Sequence, residues 1–288
     1  MAYRPPRKYH PSALNLYRQC AFRFRCEHDE ELRVPFADSE AAFVGRAAHL
    51  ALRWFFDLAI TPMPERRPEA METLLRRAWA RVPRPQAGDL PYDAAGRRAL
   101  FGSAEQERAQ GLATLAMLRS FLSSPEVDLA AVPIALEAWH EVRVGGRILA
   151  GRIDRIDRLS DTAIAVWDYK TGRLPSAHSV EELLAEDLQL STYAAIAAKL
   201  YPFAETVRVG LLFLRHGRAL AAEWDRARLE REQARVLEVA AAIEAEEQFA
   251  PRPNPLCPWC PYRPICPARE HTPAAPSPDA PAPEEVDW

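Results

Sequence analysis

Three short stretches hold side chains whose types and spacing suit hydrolytic chemistry: GRIDRID at 151–157, WDYKTG at 167–172 and DLQLSTY at 187–193. In a strand, residues i and i+2 share a face, so Asp168 and Lys170 project together, beside Ile164 and Val166. The run 163–167 is apolar, as in a strand buried on both faces. A carboxylate and an ammonium at the end of such a strand must be paired or bound to something. Asp154 lies on the preceding strand and can face Asp168. Asp157 has the opposite parity in a regular strand, so only one of the two points at the same place. Two carboxylates held together repel, and a hard divalent cation relieves that repulsion. Mg²⁺ prefers one or two carboxylates plus water and substrate phosphate. Gln189 and Tyr193, at i and i+4, share one edge of a helix. His49 in GRAAHLAL follows Gly45 by one helical turn and is a candidate metal ligand. Taken singly, each has a plainer reading: a structural ion pair, a helix-surface pair, a core histidine. Their joint occurrence shifts the balance.

Cys257, Cys260 and Cys266 form a second constellation, C-x2-C-x5-C, in a Pro-rich segment. Three thiols within ten residues are poor core packing and good metal ligation. A fourth ligand must come from Cys20 or Cys26, which would join the chain's beginning to its end. Thiolates select zinc or an iron–sulfur cluster. The segment 250–267 has few apolar residues with which to dock unaided.

The elements that must position these groups follow from periodicity. Leu14, Tyr17, Ala21 and Phe24 predict a helix over 12–25, and Phe43, Ala47, Leu50 and Trp54 another over 39–57. A third follows Pro68. Asp93 is the expected cap of a long helix ending near Leu122. From Pro133 the period changes to two, with Ile134, Leu136, Ala138, Val142 and Val144 on one face. Gly145-Gly146 marks a hairpin. Strands are expected at about 147–157 and 163–170, then a helix over 180–200, a hairpin over 206–224 and a helix from Asp225 to about Glu247. The reading is an α/β core with a helical insertion at about 60–130.

Composition narrows the class. The 288 residues allow a sizeable core, with 48% hydrophobic and 27% charged residues. Net charge is −3, which excludes a bulk polycation, but residues 1–25 hold six Lys or Arg and no acid. Arg18, Arg23, Arg25, Arg152 and Arg155 could contact phosphates, although a solvated arginine face is the plainer reading of each one singly. Lys occurs only at Lys8, Lys170 and Lys199 against 34 Arg, so a Lys among acids draws notice. No apolar run of about 18 residues exists, and no membrane span is expected. The N-terminus lacks a secretory apolar segment, so a cytoplasmic location is expected. Five Cys in a reducing compartment favour metal ligation over disulfides. Residues 271–288, acidic and rich in Pro and Ala, are expected to be a disordered tail.

Taken in order, these motifs resemble the RecB-type branch of the PD-(D/E)XK nuclease superfamily. The likeness is to its members with a four-cysteine 4Fe–4S cluster, among them AddB-type helicase–nuclease domains and CRISPR-associated adaptation nucleases. It spans about residues 10–270. PSALNLYRQCAFRF resembles the first cysteine segment, at Cys20; GRAAHLAL the histidine motif, at His49. GRIDRID resembles the first metal-aspartate motif, at Asp154; WDYKTG the D-x-K motif, at Asp168 and Lys170; DLQLSTY the Q-x3-Y motif, at Gln189 and Tyr193. CPWCPYRPIC resembles the closing cysteines.

The resemblance implies one nuclease domain over 1–270: a restriction-endonuclease-like core, its mixed central β-sheet flanked by helices, with a cluster-binding segment at 250–270. It implies hydrolysis of DNA phosphodiesters by an exonuclease or end-processing enzyme of repair, recombination or CRISPR adaptation. His49, Asp154, Asp168 and the Tyr169 carbonyl would hold Mg²⁺ or Mn²⁺. Lys170 would be catalytic with the two aspartates, and Gln189 and Tyr193 would bind DNA. Cys20, Cys257, Cys260 and Cys266 would hold the cluster, with zinc as the alternative. The alternative function is an inactive nuclease-like subunit of a helicase–nuclease complex; the intact His-Asp-Asp-Lys set argues against it. The chain has no P-loop, so a helicase partner would be a separate chain.

Overall fold

A computed structural model describes residues 8–34, 39–84, 100–174, 183–184 and 187–271. The described residues open with a short strand β1 (Lys8–Tyr9) and the helices α1 (Pro11–Gln19), α2 (Ala21–His28) and α3 (Glu40–Phe56). Helices α4 (Met71–Arg81) and α5 (Ala104–Leu122) follow. The meander β2 (Pro133–Val144), β3 (Arg147–Arg158), β4 (Ala163–Lys170) leads to α6 (Leu188–Leu200), β5 (Thr206–Phe213), β6 (Arg218–Asp225) and α7 (Arg226–Ala245). Short 3₁₀ turns close the described chain, at Cys257–Trp259, Arg263–Ile265 and Arg269–His271.

The helix expected over 12–25 is two helices. Cys20 is extended (φ −160, ψ 109), ending α1 and starting α2, although apolar spacing runs unbroken through it. The caps explain the other boundaries. Ser39 accepts from the Ala42 N–H, and Asp225, where the last helix was expected to begin, accepts from the Arg228 N–H. The α5 cap is Ser103, accepting from Gln106 N–H, so the helix starts later than expected. Asp93 and the tail after 271 lie outside the described residues. Asp187 caps α6 by accepting from the Gln189 and Leu190 N–H groups, so the described helix starts at Leu188. Gly145 and Gly146, with φ of 53° and 80°, make the β2–β3 turn; both values favour glycine.

The six strands form one mixed sheet, in path order β1-β3-β4-β5-β6 with β2 also on β3. β1–β3 and β4–β5 are parallel; the rest are antiparallel. Helices cover both faces. One core gathers Leu14 and Phe24 from α1 and α2, Tyr193 and Ile196 from α6, and Val236 from α7 against Ile153, Val166 and Val209. The other packs Phe43, Phe56, Leu75 and Phe121 of α3, α4 and α5 against Tyr169 and Leu212. This is a mixed α/β fold of the restriction-endonuclease-like kind, with α3, α4 and α5 on the second face. No helix among the described residues is long and apolar enough to cross a membrane.

Candidate active site and cysteine pocket

The chemistry sits where the sheet is interrupted. β2 runs along one edge of β3. On the other edge, β4 pairs with β3 only from Arg155 onward, and β1 pairs with Ile148 and Leu149. Among the described residues, 150–154 of β3 therefore have no strand partner on that edge. Asp154 fills part of the interval itself: its Oδ2 accepts the Tyr169 N–H at 2.7 Å. A side chain thus replaces a ladder carbonyl and ties the strands together as they part.

His49 and Glu137 meet Asp154 here. Nδ1 of His49 lies 3.1 Å from Glu137 Oε1 and 3.4 Å from Asp154 Oδ1. Ligand atoms of all three lie within 4.8 Å of one another. Sequence reading missed Glu137, placing it on the polar side of a regular strand. Its neighbours Leu136 and Ala138 pair with Arg155 and Ile153, so Glu137 stands across from Asp154. Its backbone is left-handed, φ 46°, a conformation that costs a residue with a Cβ and that accumulates at functional sites.

Asp168 is not part of that three-residue group, but it adjoins Asp154 closely enough to feel its charge. Lys170 Nζ is 3.0 Å from Asp168 Oδ2 and donates to Gln189 Oε1 at 3.1 Å. Gln189 Nε2 donates to Asp168 Oδ1 at 2.7 Å and to Tyr193 OH at 3.2 Å. The four residues of the D-x-K and Q-x3-Y motifs are thus one bonded unit. Gly151 is what lets α6 approach: a Cβ there would lie 2.8 Å from the Tyr193 ring. Asp157 does part from Asp154. It takes a bidentate Arg155 at 2.7–2.9 Å and the Trp167 indole, in the core below Phe56.

The electrostatics follow from burial. Burial, with Asp154 and Asp187 nearby, pushes the Asp168 carboxyl up to about 7 against the pull of Lys170. Its Oδ2 is buried and ion-paired yet accepts no directed hydrogen bond. Burial opposes charge on His49, but Asp154 and Glu137 outweigh it and hold the imidazolium well above the usual histidine range. The positive charge these carboxylates require is one that a divalent cation can supply. Carboxylate oxygens with one imidazole suit a hard or borderline ion such as Mg²⁺ or Mn²⁺.

Two of the arginines read as phosphate contacts are not available for that role. Arg155 is buried against Asp157, and Arg23 is only 5% exposed. Arg152 is exposed and lines two cavities that flank the site. One, of about 620 Å³, is walled by His49, Asp154 and the further arginines Arg46, Arg53 and Arg81. The other, of about 360 Å³, runs past Gln189 and Tyr193 to His10 and Trp139.

The cysteines form a separate site. Cys20, Cys257, Cys260 and Cys266 line one pocket, whereas Cys26 is fully buried in the core. Burial, with Cys260 and Cys20 nearby, pushes the Cys26 thiol up to about 12. No three of the five thiols come within 4.8 Å of one another among the described residues. Cys20 Sγ accepts the Arg252 N–H at 3.5 Å and Cys257 Sγ the Asn254 N–H at 3.2 Å. The closing segment does not rely on cysteines alone. Arg252 Nη1 donates to the Tyr17 and Arg18 carbonyls at the end of α1, at 2.9 and 3.1 Å, and stacks over Tyr17. Tyr262 is fully buried and accepts the Val34 N–H. Orphan helix carbonyls and one tyrosine provide the docking that apolar composition does not.

The model of the PD-(D/E)XK nuclease superfamily matches residues 10–267. Among solved structures, the chain is similar to SSO0001, with TM-score 0.39 and 17% identity over 93% of this chain and 89% of that one. It is also similar to a candidate exonuclease from Eubacterium rectale, with TM-score 0.44 and 9% identity over 94% and 90%. A search of the curated proteins found no match.

Proposed function

The chain belongs to the PD-(D/E)XK nuclease superfamily, and from that premise we propose that it is a RecB-type, metal-dependent deoxyribonuclease that trims DNA ends. The observation that carries this reading is the His49–Glu137–Asp154 donor group set beside the buried Asp168–Lys170 pair. In this reading His49, Asp154, Asp168 and the Tyr169 carbonyl hold Mg²⁺ or Mn²⁺, with Glu137 as an added carboxylate. A cation held by these residues would lower the pKa of a water and offset charge on the scissile phosphate. Lys170, held between Asp168 and Gln189, places an ammonium where negative charge builds on the phosphoryl oxygens. Gln189 keeps Lys170 and Asp168 in register by bonding both. Tyr193, braced against Gly151, positions the strand. Arg46, Arg53, Arg81 and Arg152 supply the cationic wall that phosphates follow.

The cysteine pocket, in the same reading, holds a 4Fe–4S cluster through Cys20, Cys257, Cys260 and Cys266. Backbone N–H groups donate to two of the sulfurs, as they do to the thiolate ligands of iron–sulfur centres, and zinc on the same four thiols is the alternative. The role is structural, with no redox step in hydrolysis. Digestion of end-labelled DNA tests the whole. Cleavage should need Mg²⁺ or Mn²⁺ and stop in EDTA; full activity in excess chelator would overturn the reading.

A further inference from the structure

Trp139 is a large aromatic residue left 52% exposed beside the candidate active site. Such exposure usually means mobility, but this indole is braced. Its Nε1 donates to Glu141 Oε1 at 3.2 Å, and Lys8 Nζ holds the same oxygen at 2.6 Å. The His10 ring sits against it, centroids 5.3 Å apart and tilted by 44°. Trp139 pairs across β2–β3 with Arg152, two rungs from the Glu137–Asp154 position. Two residues of strand span about 7 Å, or roughly two stacked nucleotides at 3.4 Å each. Arg152 borders the arginine-walled cavity on one side and the Trp139 cavity on the other. The two cavities therefore differ in chemistry. One offers guanidinium groups suited to phosphates; the other offers a fixed indole face beside Gln189 and Tyr193.

We propose that Trp139, backed by His10, is a base-stacking subsite that receives an unpaired nucleobase next to the scissile position and so selects single-stranded DNA ends. This deepens the nuclease reading and rests on it. Inside a duplex a paired base has both faces covered, and a terminal pair exposes only its outer face as a rigid unit, so a base behind the end reaches the indole only when it is unpaired. Stacking on an aromatic side chain is tolerant of sequence, because every base has a π-face. A braced side chain also loses little conformational freedom on binding.

The test is binding of a labelled single-stranded oligonucleotide by anisotropy, in calcium with no magnesium or manganese. An abasic residue is placed at each position in turn. One position near the bound end should cost the wild-type chain roughly 5- to 150-fold in affinity, the range for loss of one base–aromatic stack. Trp139→Ala should lose a similar factor on the intact strand and become indifferent to that abasic residue. Trp139→Phe should keep most of the affinity, which separates stacking from misfolding. A blunt duplex should show no dependence on Trp139. Wild-type binding indifferent to every abasic position would overturn the proposal, and so would an alanine variant as sensitive as the wild type or a duplex equally weakened by it. Wild-type digestion of end-labelled DNA in Mg²⁺ or Mn²⁺ is run alongside. Its failure would overturn the nuclease reading while the abasic scan still decides the stacking subsite.

Discussion

Glu137 joins backbone strain to a ligand group, and the two can be separated by substitution. At φ 46° a residue with a Cβ pays about 1–2 kcal/mol relative to its ordinary conformations. Glycine escapes that cost but loses about 0.5–1 kcal/mol more backbone entropy on folding. Glu137→Ala and Glu137→Gly both delete the carboxylate, so the difference between them reports the backbone alone. The glycine variant should be the more stable by about 0.5–1 kcal/mol, or roughly 2 °C in a domain of this size. At an ordinary strand position the order reverses. The assay is scanning calorimetry in EDTA, where metal binding cannot mask the backbone effect. An alanine variant equal to or above the glycine variant would refute the strain argument. Glu137→Gln keeps the side-chain volume and removes the charge, so it isolates the ligand. Removing even an outer-shell partner typically costs 10–100-fold in metal affinity, and Mn²⁺ affinity by calorimetry should fall at least that far. Wild-type affinity in Glu137→Gln would remove Glu137 from the metal group.

Lys170→Ala and Asp154→Ala should each abolish digestion of end-labelled DNA while leaving the fold and DNA binding largely intact; near-wild-type digestion by either would sink their assignment. Gly151→Ala would press a methyl into the Tyr193 ring, so activity should fall with little change in Mn²⁺ affinity, and unchanged turnover would show that the contact gives way freely. Cys20→Ser should lose iron and thermal stability when purified anaerobically, whereas Cys26→Ser should keep about four iron per chain. The reverse pattern would mean that Cys26, not Cys20, is the fourth ligand.

What could be read from the sequence was whatever obeys a period. The Asp168–Lys170 face follows from alternation in a strand buried on both sides, and Gln189 and Tyr193 follow from the helical turn. The helices over 39–57 and after Asp225 carry periodic apolar residues behind a good cap. The helix break at Cys20 was hidden because Tyr17, Ala21 and Phe24 keep helical spacing across it, so hydrophobicity carries no trace of one extended residue. What turns the chain there is tertiary, since the carbonyls at the end of α1 are taken by Arg252 from more than 230 positions away.

Arg155 was misread for a related reason. An arginine between two aspartates looks like a solvated charge run, and only burial against Phe56 makes it an enclosed partner of Asp157. Glu137 was the hardest to foresee. Alternation assigns it to the polar face of a regular strand, and its use depends on the β2–β3 register and a left-handed φ, neither of which leaves a periodic mark. The common cause is the interval in β3 where β1 and β4 both stop short. A regular sheet would satisfy its backbone there with another strand and would have no room for side chains from α3, α6 and β2 to converge. Interrupting the ladder at Asp154 makes that room, and the same interruption removes the regularity on which reading from sequence depends.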